Sequence, residues 1–108
     1  MIRLTVLYNL PEGADEGEFL RWRLGEHQES NASMGGVTYT DFGRVDERWS
    51  PEAPHAQSPY RFMTIVDWTD RESFEKSFYD PKAMAKLDDD LKRIADPLFM
   101  ISEILVST

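Results

Sequence analysis

The chain has 108 residues, 41% hydrophobic and 30% charged, with three Trp, four Tyr and six Phe, which suffices for one packed core and not for two. A formal charge of −8 repels phosphate backbones, so a nucleic-acid partner is not expected. Cysteine is absent, which removes disulfides, thiolate nucleophiles and cysteine-based metal sites.

In chain order, "IRLTVLYN" from Ile2 to Asn9 places Ile2, Leu4, Val6 and Tyr8 on one face and Arg3, Thr5, Leu7 and Asn9 on the other, the period of a half-buried strand. Pro11 and Gly13 break it, and Asp15, Glu16 and Glu18 supply the negative charge that a first helical turn favours. A helix over about 15–30 follows. At about 100° per residue, Phe19, Leu20, Leu24 and His27 fall on one stripe, with Trp22, Glu26 and Glu29 opposite.

Met34 to Gly36 reads as a turn, and "VTYTDFGRV" from Val37 to Val45 as a second strand. Residues 46–59 hold three prolines and no period, a loop long enough to be functional or mobile; Trp49 and His55 within it suit either a lid or simple exposure. "YRFMTIVDW", Tyr60 to Trp68, alternates again as strand three. Thr69 and Glu72 form a capping box for a helix that pairs Phe74 with Phe78. Asp80 and Pro81 start a third helical piece, with Met84, Leu87, Leu91 and Ile94 on one stripe and Asp88 to Asp90 mostly solvated. Pro97 to Val106 is the last strand.

The order is β-α-β-β-α-β in one domain, 1–108, an α+β ferredoxin-like plan with a four-stranded antiparallel sheet and both helices on one face. The uncovered face exposes apolar side chains, which predicts a homodimer with a cavity between or beneath the sheets. The apolar runs are far shorter than the roughly 20 residues that span a bilayer, so no membrane partner is expected. Met1 leads into "IRLTVLY" without the h-region of an export signal, and a cytoplasmic location is expected.

"VLYNLPEGAD" opening into helix one, and "IVDWTDRESFEKSF" where a strand ends and a capped helix begins, resemble the dimeric α+β-barrel superfamily. That superfamily includes antibiotic-biosynthesis monooxygenase-like proteins, EthD-like proteins and polyketide cyclases. With Trp22 on helix one, the chain looks most similar to the REDY-like family of prodigiosin-type pathways and to the EthD-like family. The resemblance implies cofactor-independent chemistry, such as proton transfer driving cyclisation or oxygenation of an activated phenol. His27 matches the position of a histidine near the end of helix one in EthD-like proteins. Haem-degrading members carry a histidine and a tryptophan on helix two, and residues 70–94 contain neither, so haem is not expected.

His27 is the candidate catalytic acid or base, because an imidazole accepts and donates protons near neutral pH; a capping role at the helix end is the alternative. Arg3, Asn9, Tyr39, Tyr60 and Arg61 are the candidate ligand-binding residues, as strand side chains able to hold a carbonyl or phenolate oxygen, or otherwise as ordinary sheet contacts. Two isolated histidines among scattered acids fall short of a metal-ligand set, and no dinucleotide, phosphate-loop or nucleophile-elbow motif occurs, so neither metal nor cofactor is expected. The expected ligand is a small apolar or aromatic molecule, bound by an enzyme of secondary metabolism or by a non-catalytic accessory protein.

Overall fold

The computed structural model describes residues 1–32 and 34–107. β1 (Ile2–Asn9) alternates strictly between buried and half-buried positions, as its sequence period requires. The chain then turns at Gly13, whose φ of +80° only glycine adopts without strain. α1 (Glu16–Trp22) is capped by Asp15, whose Oδ1 accepts the N–H of Glu18 at 3.0 Å.

Beyond Trp22 the helix does not stay regular. Arg23–His27 is a π-helical turn, and α2 (Gln28–Ala32) resumes the α form. A π turn carries an extra residue, so the regular wheel over 15–30 loses its phase here. Leu24, expected on the packing stripe, is 62% exposed. Trp22, expected opposite it, is half-buried and packs against Phe19, ring centroids 5.9 Å apart.

β2 (Val37–Arg44) and β3 (Phe62–Trp68) pair antiparallel from Val37 opposite Trp68 to Arg44 opposite Phe62. Both strands are shorter than expected, although Val45 N still donates to Arg61 O at 2.8 Å. The 46–59 connection closes on itself through a bridge between Arg48 and Ala56. α3 (Arg71–Phe78) is capped by Asp70, which accepts Ser73 N at 2.8 Å, one residue later than the expected Thr69 cap. α4 (Pro81–Asp90) begins as its sequence predicts, with Asp80 accepting the N–H groups of Lys82 and Ala83 and Pro81 in the first turn. A 3-10 turn, Leu91–Arg93, leads to β4 (Ala95–Glu103), which begins two residues before the expected Pro97 and ends three before Val106.

The sheet order is β2-β3-β1-β4 with every pair antiparallel, the ferredoxin-like arrangement expected from the element order. Register fixes the two faces. Ile2, Leu4, Val6 and Tyr8 lie opposite Trp68, Val66, Thr64 and Phe62 on the helix-bearing side. Phe62, Trp68 and Phe74 have no exposed area, and each contributes about 1.5–3 kcal/mol by burial. Trp68 meets Phe74 edge-on at 5.1 Å, and its indole N–H donates to Gly35 O at 3.3 Å. Gly36 beside it has φ +77°.

The opposite face carries Leu7, Met63, Ile65, Leu98 and Met100 in register across β1, β3 and β4, and among the described residues no helix lies over them. Leu98 and Met100 are exposed.

Candidate functional site

A cavity of ≈140 Å³ lies between the helix-bearing face of the sheet and the helices. Its sheet wall is Leu4, Val6, Tyr8, Thr64, Val66 and Phe99, and its far wall is Phe78, Leu87, Leu91 and Ile94. Phe19, Trp22, Arg23 and His27 form the side given by the first helical run. The volume is on the scale of the roughly 150 Å³ apolar cavity that accepts benzene. A shallower groove of ≈570 Å³ between Gly35, Gly36 and Ser73 is wider, but Asp80 there is committed to capping α4.

The π turn places two polar side chains in this apolar cavity. Residues five apart lie nearly above one another on its wider spiral. Trp22 accordingly packs against His27, tilted by 40° with centroids 4.5 Å apart, and Arg23 Nη1 donates to Gln28 Oε1 at 2.6 Å.

His27 Nδ1 stands 3.0 Å from Asp90 Oδ2, with side-chain exposures of 15% and 12%. The contact is close, yet it is off the line of a ring N–H bond, and Nδ1 is left buried without a well-directed partner. A carboxylate at this distance ordinarily raises an imidazole pKa. Burial here outweighs it and, with the charges of Arg23, Lys86 and Arg93, pushes His27 down to about 4. Burial also pushes the Asp90 carboxyl up, against the pull of Lys86, whose Nζ is 3.5 Å away. His27 is therefore neutral at pH 7, with a lone pair free to take a proton. Asp90 was expected among solvated acids; it is the one member of the Asp88 to Asp90 run that turns inward, while Asp88 and Asp89 stay exposed.

Arg23 is 1% exposed. Its Nη2 donates to Thr64 Oγ1 at 3.2 Å, Thr64 in turn lies 3.0 Å from the Tyr8 hydroxyl, and Phe42 packs under the guanidinium at 4.3 Å. Burial lowers its pKa, partly offset by Tyr8 and Asp90. The expected site residues did not include Arg23. A signal for it existed: Phe19, Arg23 and His27 recur at intervals of four, which puts Arg23 in the middle of the buried stripe.

Of the expected site residues, only His27 lines the cavity. Arg3 lies on the open face of the sheet and forks onto Asp67 at 2.8 and 2.9 Å, a pair that raises its pKa. Tyr39, on the same face, donates its hydroxyl to Asp41 Oδ2 at 3.1 Å. Asn9 ties down the 46–59 loop, donating to Pro59 O and accepting Arg61 N, both at 2.9 Å. Arg61 pairs with Glu16 beside Arg44, and Tyr60 is half-buried at the loop's end. In the loop, Trp49 is exposed and His55 pairs with Glu47 at 3.1 Å, and neither reaches the cavity.

No protein-family model matches the chain, and no curated protein sequence matches it. Solved structures do. An EthD-family protein from Bacillus halodurans has TM-score 0.76 at 23% identity, covering 97% of this chain and 99% of its own. HapK from Hahella chejuensis has TM-score 0.73 at 20% identity, covering 100% and 96%. SnoaB, a cofactor-independent oxygenase from Streptomyces nogalater, has TM-score 0.68 at 10% identity, covering 98% and 94%. Other neighbours are described as dimeric proteins with a ferredoxin-like fold. The chain thus has a ferredoxin-like α+β fold, as its sequence led us to expect. Among the described residues, no helix is long and apolar enough to cross a membrane.

Proposed function

We propose that this protein binds a small aromatic molecule in the cavity between sheet and helices, and that His27 moves a proton to or from it. The observation that carries this reading is a neutral, half-buried imidazole, 3.0 Å from a carboxylate, in the wall of an otherwise apolar cavity. With its pKa lowered to about 4 the ring is a weak base, suited to a proton that the ligand gives up readily, such as that of a strongly acidified phenol or of carbon between two carbonyls. The role is cofactor-independent, as in the oxygenase SnoaB, and suits cyclisation or oxygenation in cytoplasmic secondary metabolism. The cavity volume favours one ring, so a polyketide-like ligand would place one ring inside and the rest at the mouth.

The acting unit in this reading is a homodimer. Leu7, Met63, Ile65, Leu98 and Met100 form an apolar band on the helix-free face, and two such faces cover each other. Native mass spectrometry at micromolar concentration should find two chains; a monomer refutes this part alone.

The test of the catalytic role is His27→Ala. It should abolish turnover of an activated phenol while shifting the melting temperature by only a few degrees and leaving ligand affinity within a few-fold. If turnover survives, His27 is not the base. If the variant instead unfolds and binding is unchanged where it stays folded, His27 serves the helix and the protein is a binding or accessory protein.

A further inference from the structure

The cavity contains one more cation than it can neutralise. Lys86 and Arg23 both line it, and Asp90 is the carboxylate in its wall. Asp90 lies 3.5 Å from Lys86, and among the described residues no carboxylate lies within ion-pair distance of the Arg23 guanidinium. Arg93 adds positive charge behind the wall, 4.6 Å above the Trp22 ring. This surplus occurs in a chain whose formal charge is −8, so it is local to the cavity.

Burying a guanidinium against a threonine hydroxyl, an amide oxygen and an aromatic ring costs several kcal/mol that neutral partners repay only in part. Its partners are Gln28 Oε1, Thr64 Oγ1 and the Tyr8 hydroxyl, all of them neutral. Arg23 thus lines the cavity as a planar cation with no carboxylate of its own, suited to a carboxylate or an ionised oxygen.

We propose that Arg23 recognises an anionic oxygen, and that the ligand is a planar aromatic of about one ring carrying a carboxylate or an ionised hydroxyl. This rests on the reading that the cavity takes an aromatic molecule, and it names which aromatics. The ring lies among Phe19, Trp22, Phe78 and Phe99, and the anion faces Arg23. The same placement assigns a division of labour: His27 handles the proton and Arg23 holds the charge left on oxygen.

Benzoate and benzyl alcohol, nearly the same in shape and differing in charge at pH 7, test this by titration calorimetry and ligand-observed NMR in 150 mM salt. The wild-type protein should bind benzoate at least about tenfold more tightly, the size of one charge-assisted contact. Arg23→Met should bring the two affinities together without weakening benzyl alcohol, and Arg23→Lys should keep part of the preference. Should either variant fail to fold, the Arg23 Nε–H resonance of the wild-type protein must move on adding benzoate and stay still on adding benzyl alcohol. Equal binding of both probes to wild type, or a preference that survives Arg23→Met, overturns the role of Arg23 and leaves the aromatic cavity standing. Binding of neither probe overturns the aromatic cavity itself, and the proposal with it.

Discussion

Acidification is the perturbation that tests the burial of His27 most directly. Its folded pKa is about 4 against 6.5 for the free imidazole. Because the folded value is the lower one, the unfolded chain binds more protons between these limits, and stability is lost as pH falls from 6.5 towards 4. The full effect is in place above pH 6.5. Between about pH 8 and pH 5, linkage with these two values gives a loss of about 2 kcal/mol as an upper bound, and solvent screening of a half-buried ring reduces it to about 1. Asp90 pulls the other way: its carboxyl is raised by burial, so its protonation in acid relieves a cost. The charged groups facing the ring are thus Asp90, Arg23, Lys86 and Arg93, and the wild-type curve sums all of them.

The assay is urea unfolding at about five pH values for wild type and His27→Gln, whose amide does not titrate. The difference between the two proteins isolates the imidazole. It should fall by about 1 kcal/mol from about pH 8 to pH 5, a urea midpoint shift of about 0.5–1 M at the m-values usual for this size. Titration of the His27 ring by NMR should give a midpoint well below 6.5. Parallel pH curves for the two proteins, or a ring that titrates at 6.5 or above, would show that His27 is not desolvated.

Two further outcomes test the frame that holds the site. Arg3→Leu strands the Asp67 carboxylate, whose side chain is 4% exposed, and should cost about 3 kcal/mol in urea unfolding, whereas Arg3→Leu with Asp67→Leu should recover most of it. Equal losses in the single and double variants would mean the pair's charge is of no consequence. Gly36→Ala forces a side chain onto φ +77°, its Cβ 3.4 Å from Ser73 Cβ and 3.5 Å from Trp68 Cδ1. A loss of about 1–2 kcal/mol, about 4–15 °C in melting temperature, should follow, and an unchanged melting temperature would place the turn's conformation in doubt.

The fold was legible because strand alternation is a strong, local signal. Ile2, Leu4, Val6 and Tyr8 are buried on every second residue, and a one-residue error would have turned all four to solvent. The ends of β2 and β3 were less legible, since Val45 and Arg61 still pair across the hairpin while Tyr60 does not. The cap of α3 was misplaced by one residue, because Thr69 and Asp70 are both good caps and only the backbone decides which carbonyl begins the helix.

The site was half legible, and the reason is physical. A wheel assumes one residue spacing per turn, and the π turn at Arg23–His27 breaks that assumption where the chemistry sits. His27 survived because its position is near the stripe on either count, while Trp22 and Leu24 exchanged their expected environments. Asp90 was missed for a second reason, that the charge of the Asp88 to Asp90 run was read as solvation, and Arg23 was given no role at all. Arg23 lies four residues from both Phe19 and His27, and Asp90 lies four from Lys86 on the face that also bears Leu87 and Leu91. Hydropathy ranks such residues as surface, yet spacing places them inside. Where the two signals conflict, burial of the charge must be repaid by something, and with Gln28 and Thr64 neutral the unpaid remainder of Arg23 points to a ligand with the opposite sign.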